Sequence, residues 1–231
     1  TGMCRLGIQE KDIKEVLKLK TQIDKFKEVI IMSHLACAGE KKDPFNEIQR
    51  KKFEKIKILL PGYKYSLAAS GGIFLGKKYH YDLVRPGINL YGGSKSYHKN
   101  LKHVVSLKSP IIQINELKKG QTAGYSRTFK AKKNMTTATI PMGYADGIGI
   151  RLSNKGFVHF KSHKLPMLGR ISMDLIIIDI TKVKNKIKIG DFVYLYNDLF
   201  TIDDFAKLTG TIPYRIITCI SKRYIKNYLN E

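Results

Sequence analysis

The feature that most constrains this chain is a change of rhythm near residue 103. Ahead of it, apolar residues at helical spacing alternate with short apolar runs, which predicts an α/β arrangement. Glu10 to Lys25 reads as one amphipathic helix on Ile13, Val16, Leu17 and Ile23, followed by a buried strand from Val29 to Met32. Asp43 and Pro44 cap and open a helix to about Leu60, with Phe45, Ile48, Phe53 and Ile56 inward and Pro61-Gly62 as its stop. Tyr63 to Leu67 is the next strand. A polar linker, Gly92 to Lys102, carries Lys95, Lys99 and Lys102.

Beyond it, short apolar or alternating runs succeed one another between Gly and Asn-Lys-Gly turns: Val104 to Leu107, Ile111 to Leu117, Thr137 to Met142, Phe157 to Phe160, Leu175 to Ile180 and Phe192 to Tyr196. That pattern predicts a small, mostly-β domain. Thr201-Ile202-Asp203-Asp204 is a capping box for a helix through Leu208, ended by Gly210.

Composition narrows the function classes. The chain has 42 Lys+Arg against 19 Asp+Glu, a net charge of +23, which by itself suggests an anionic partner such as nucleic acid. The lysines are scattered through every element and no nucleic-acid motif accompanies them, so the expectation is a solvated basic surface. Cys4, Cys37 and Cys219 lie far apart, which fits a reducing cytoplasm. His159 and His163 sit in strand-like sequence without a helical ligand face, so no metal site is expected. No apolar run approaches a membrane span.

The chemistry concentrates between Thr122 and Gly147. Tyr125 occupies a Gly-Tyr-Ser turn between strand-like segments, and Gly143-Tyr144-Ala145-Asp146-Gly147 closes the strand that follows. A loop tyrosine held by strands can transfer protons; an ordinary half-buried tyrosine satisfies the same spacing. Together with Gly169-Arg170-Ile171-Ser172-Met173-Asp174, these stretches resemble the carboxyl-terminal domain of the alanine racemase family, whose members use pyridoxal 5′-phosphate. Asp82 to Gly92, containing Arg85-Pro86-Gly87-Ile88, resembles the same family, and the likeness covers nearly the whole chain. It implies a partial (β/α) barrel over residues 1–102 followed by a β-rich domain over 103–231.

The resemblance also implies roles. Tyr125 is one of two catalytic bases, supported by His34, which matches the family's Thr-His-Phe-Ala segment. Arg85 donates to the cofactor's ring nitrogen and keeps it unprotonated. Arg5 and Met173 contact substrate, Arg5 as a two-pronged donor to a carboxylate. Ser70, Gly87, Ile88 and Tyr214 hold the phosphate, although Ala69 stands where the family has asparagine and Arg215 where an acidic residue commonly follows the tyrosine. The small residues of Ala68 to Gly72 allow backbone N–H groups to approach an anion.

The other base, the family's cofactor-bearing lysine, lies in a segment that nothing here resembles. About 100 residues hold about three βα units at roughly 30 residues each, against roughly 250 residues for a full barrel. The opening TGMCRLG begins as if in mid-motif. The expectation is therefore the rear part of a racemase, inactive alone, that acts on L- and D-alanine as a homodimer with shared sites or with a complementing front-barrel chain. A non-catalytic remnant and a basic nucleic-acid-binding protein remain alternatives.

Overall fold

The computed structural model describes residues 1–94 and 96–229; Lys95 of the expected linker lies outside them. The chain divides into two compact units, one of Thr1–Leu90 with Ser94–Leu101, the other of Tyr91–Gly93 with Lys102–Glu231.

In the first unit a 3₁₀ turn at Glu10–Asp12 leads into α1 (Ile13–Lys18) and α2 (Lys20–Ile23), then β1 (Ile30–Met32), α3 (Phe45–Leu59), β2 (Lys64–Ala69), α4 (Ser70–Ile73) and β3 (Leu83–Arg85). The single helix expected over Glu10 to Lys25 is thus broken at Leu19. Its residues explain the break. Ile13 is buried but Leu17 and Leu19 are exposed, so no continuous apolar face holds the segment, and short helices without one are marginal.

The three strands form a parallel sheet in the order β1-β2-β3. Its centre is β2, where Tyr65, Ser66, Leu67 and Ala68 are all buried. The buried strand expected at Val29 to Met32 is instead an edge: Ile30 and Met32 are 47% and 61% exposed. On the opposite edge Leu83 and Val84 are also exposed. Parallel sheets ordinarily have both faces covered, so these edges are unusually bare.

Helix α3 starts as expected, with the Asp43 carboxylate accepting from the Phe45 N–H at 2.8 Å. Its inward face is centred on Asn46, Gln49 and Phe53, three and four residues apart on one side of a helix. Ile48 falls off that stripe and is exposed, contrary to the expectation. Phe53 packs edge-on against Tyr65 and Tyr81, with centroids 6.1 and 5.1 Å away.

The second unit contains β4 (Leu107–Pro110), β5 (Gln113–Leu117), β6 (Thr122–Ala123), β7 (Phe129–Lys130), β8 (Met135–Ile140), β9 (Phe157–Phe160), β10 (His163–Leu168), β11 (Ile176–Asp179), β12 (Phe192–Tyr196), α5 (Ile202–Thr209) and α6 (Pro213–Thr218). Seven strands form one antiparallel sheet in the order β4-β12-β9-β10-β11-β8-β5. Its two end strands are consecutive in sequence, joined by Ile111 and Ile112 alone. Ile111 N–H bonds the Asp191 carbonyl and Ile112 N–H the Thr139 carbonyl, at 2.8 and 3.0 Å. The sheet must therefore curl until its ends approach, which shortens the open edges.

β9 and β12 run as the sequence predicts, whereas the strand expected at Val104 starts only at Leu107, leaving Val104 exposed. β10 starts at His163, in the region read as strand-like, and runs to Leu168; its Pro166 points outward while Leu165 and Met167 are buried. Thr201 and Asp204 form the capping box, and Gly210 ends α5 in the left-handed region. Among the described residues no helix is long and apolar enough to cross a membrane, and no group of three or more His, Cys, Asp and Glu could hold a metal ion.

Phe53 anchors the first unit, so Phe53→Ala should cost about 3–5 kcal/mol. Urea unfolding monitored by circular dichroism checks this; a loss below about 1 kcal/mol would place the core elsewhere.

Candidate functional site

Parallel strands end on the same side, so the residues at or just after the ends of β1, β2 and β3 gather at one edge of the first unit. They are Ser33-His34, Ser70 and Arg85-Pro86-Gly87. The Arg85 guanidinium ties them together. Its Nη1 donates to Ser66 Oγ at 2.6 Å; its Nη2 faces the Ser33 and Leu67 carbonyls at 2.8 and 3.3 Å and His34 Nδ1 at 3.3 Å. Among the described residues Nε donates to nothing.

These contacts assign the His34 proton. A guanidinium can only donate, so the His34 Nδ1 beside it is an acceptor and the ring proton sits on Nε2. Burial first, and then the positive charges of Arg85 and Arg5, hold the His34 pKa below its ordinary 6.5. Burial likewise lowers the Arg85 pKa. Arg5 itself is exposed.

The loop carrying His34 is fixed from α3. Gln49, fully buried, accepts from the Ala36 N–H at 2.8 Å and donates to the His34 carbonyl at 3.0 Å. Asn46 donates to the Cys37 and Glu40 carbonyls, both at 3.0 Å.

Beside this cluster, Ser70 Oγ accepts from the Gly87 N–H at 2.8 Å, and Ile88 opens a 3₁₀ turn, Ile88–Tyr91. Gly71 and Gly72 are closely packed. A Cβ on either would lie 3.1 Å from its nearest neighbour, Ala38 for Gly71 and Ala68 or Leu35 for Gly72. The Ser70 hydroxyl and the Ile88 N–H are donors of the kind that meets a phosphate, whereas the Gly87 N–H is already given to Ser70 Oγ. The structure thus brings together His34, Arg85, Ser70, Gly87 and Ile88. Tyr125, Met173 and Tyr214 belong to the other unit.

In that unit Tyr125 lies on the short turn between β6 and β7 and is 68% exposed. Ser126 and Arg127 follow it with φ of 56° and 51°, a conformation costing roughly 1–2 kcal/mol per non-glycine residue. Close glycine contact holds the turn down: a Cβ on Gly124 would fall 2.8 Å from the Arg170 nitrogen, and one on Gly169 would fall 2.5 Å from the Ala123 carbonyl oxygen.

A similar approach joins Gly143 to Ser172 and Met173, whose carbonyls accept from Tyr144 and Ala145 N–H at 3.1 and 3.0 Å. The three motifs are therefore backbone neighbours, presenting Tyr125, Tyr144 and Met173 outward. Asp146, buried, accepts from the Gly143 N–H at 2.9 Å. Arg223 bridges it to Asp174, with N–O distances of 3.5 and 2.7 Å. Tyr214 stands partly exposed on α6.

A parallel sheet whose strand ends gather a guanidinium, an imidazole and an anion-binding hydroxyl is the ligand site of an α/β protein. Residues 1–95 match the family model "Alanine racemase, N-terminal domain" and residues 104–228 match "Alanine racemase, C-terminal domain". The chain belongs to the alanine racemase family. It is 40% identical over 233 residues to the alanine racemase of Rickettsia bellii, covering 99% of this chain and 57% of that one. It is 39% identical to that of Rickettsia canadensis, covering 99% and 63%.

Among solved structures, alanine racemase from Bartonella henselae with covalently bound pyridoxal phosphate superposes with a TM-score of 0.90 at 40% identity, over 99% of this chain and 64% of that one. The alanine racemase of Streptomyces coelicolor A3(2) gives 0.90 at 27%, over 100% and 64%. The chain thus spans less than two thirds of the length of each.

Sequence reasoning missed Gln49, Ser66, Asn89 and Arg223. No local signal marks the first two, which read as ordinary helix and strand residues. Arg223 could have been suspected only as a cation that buried Asp146 requires.

Two outcomes are expected. Because the folded His34 pKa lies below 6.5, the unfolded chain binds more protons in the window just beneath that value; the stability tied to neutral His34 is present above it and lost as pH falls. An NMR titration should place the His34 midpoint below 6.5, and Arg85→Gln should raise it; a wild-type midpoint above 6.5 would contradict the contact. Arg223→Ala should speed hydrogen exchange at Gly143 and Tyr144 while leaving β9 protected, whereas unchanged exchange would remove Arg223 as the bridge.

Proposed function

We propose that these 231 residues are the rear part of an alanine racemase that interconverts L- and D-alanine with pyridoxal 5′-phosphate, supplying D-alanine for cell-wall peptidoglycan in the cytoplasm. The observation that carries this reading is the arrangement of His34, Arg85 and Ser70 at one set of strand ends, in a chain 40% identical over 99% of its length to an alanine racemase. The three parallel strands are part of a (β/α) barrel over residues 1–102, and 103–231 is the carboxyl-terminal β domain. The remaining strands come from outside these residues.

The donor set fits the cofactor. The Ser70 hydroxyl and the Ile88 N–H would face its phosphate, with the Gly87 N–H given to Ser70 Oγ; the Tyr214 phenol is a further phosphate donor by family resemblance. Bound there, the cofactor supplies an electron sink that makes the substrate α-proton removable.

This chain's residues do the rest. Arg85 Nε, which has no acceptor among the described residues, would donate to the ring nitrogen and keep it unprotonated. Arg5 holds the substrate carboxylate, and Met173 bounds the substrate. Tyr125 exchanges a proton with the α-carbon through its phenolic oxygen on one face. The Nε2 proton of neutral His34 is suited to hydrogen-bond the phenolic oxygen. Tyr125 and Met173 act in the site of a partner subunit of a homodimer. The base for the opposite face is a lysine outside this chain, so the chain alone is inactive.

Co-expression with the front portion of the Rickettsia bellii racemase tests the reading, with D-alanine formation from L-alanine as the assay. Activity should appear only with both pieces, and Tyr125→Phe should lower it at least about 100-fold. Turnover by the chain alone would overturn the split of bases, and none from the pair would leave a non-catalytic remnant.

A further inference from the structure

Resting on the reading just given, we infer that Asn89 is a positioning residue of the phosphate cradle, holding Ser70 so that its hydroxyl proton is left for the anion. Asn89 lies in the 3₁₀ turn that follows β3, and its Nδ2 donates to the Ser70 carbonyl oxygen at 3.2 Å. The Ser70 hydroxyl oxygen accepts from the Gly87 N–H at 2.8 Å. Residues 87 and 89 of one short segment therefore grip Ser70 twice, by side chain and by main chain.

The chemistry of each contact favours an anion. A serine hydroxyl that has accepted from a backbone N–H still carries its own proton, and that proton needs an acceptor. The carbonyl is the group at this position that would repel a phosphate. Engaged by the Asn89 amide, its lone pairs are turned to a donor, and because no described peptide is cis the Gly71 N–H of the same peptide unit points the opposite way. Ala69, just before Ser70, has no polar side chain to share in this.

Packing alone would not select an amide at position 89. Asn89 Oδ1 is buried without a hydrogen-bond partner among the described residues, which is unfavourable, and an apolar side chain of similar size would avoid that penalty. What the amide provides and a leucine cannot is the N–H donor to Ser70.

The test compares pyridoxine 5′-phosphate with pyridoxine, neither of which has the aldehyde that surface lysines would capture. Titration calorimetry on the purified chain at about 0.15 M salt should give tighter binding of the phosphorylated compound. Asn89→Ala should weaken that binding by about 3- to 10-fold, the equivalent of one hydrogen bond, and leave pyridoxine unaffected. Asn89→Asp, which keeps the side-chain shape but places a carboxylate against the carbonyl, should weaken it at least as much.

Wild-type affinity for the phosphate compound in both variants would overturn the inference. So would equal weakening of both ligands, since that marks a merely structural residue. A wild-type chain with no preference for the phosphorylated compound would instead overturn the cradle itself, and the inference with it.

Discussion

The Arg85 guanidinium is the contact on which the site in the first unit depends. It leaves β3 and reaches Ser66 and Leu67 on β2 and Ser33 and His34 after β1, so a single side chain spans the sheet. Parallel strands have no hairpin to fix their relative register, and a charge-assisted donor bonded to β2 and to the residues after β1 supplies a restraint that turns elsewhere provide. The same bonds orient the imidazole and select its tautomer, and the Arg85 charge adds to burial in lowering its proton affinity.

The two units solve the problem of sheet edges differently. In the second, the end strands β4 and β5 are joined by Ile111 and Ile112, and both isoleucine amides bond back to the sheet, so curling follows from connectivity. In the first, Ile30, Met32, Leu83 and Val84 stay exposed on edge strands. Bare apolar edges on a parallel sheet are costly in water, and they agree with the proposal that further barrel strands come from outside these residues.

Local chemistry was legible where the partner is a near neighbour in sequence. The Thr201–Asp204 box, the Gly210 stop, the Asp43 contact to Phe45 and the extents of β9 and β12 all depend on residues within a few positions of one another. The Gly-Tyr-Ser, GYADG and GRISMD motifs were legible as short strings, whereas the close backbone approaches of Gly124, Gly143 and Gly169 are to residues far away in the chain. Less legible was which apolar residues are buried. Ile48 and Ile30 have the same hydrophobicity as buried isoleucines elsewhere, and only the placement of Gln49 and of the sheet edge decides that they face outward. The Glu10 to Lys25 helix failed for the same reason, since its apolar stripe has too little to pack against.

By itself, the sequence determined the order of α/β and β segments, the family, and the residue types available for chemistry, because these follow from periodicity and from motifs of a few residues. Only the tertiary structure decided that Arg85 faces His34 across 51 positions, that Asn89 reaches back to the carbonyl of Ser70, and that Arg223 meets buried Asp146. Such partners are selected by strand order and chain reversal, whose free energy is distributed over the whole core and leaves no mark at either residue.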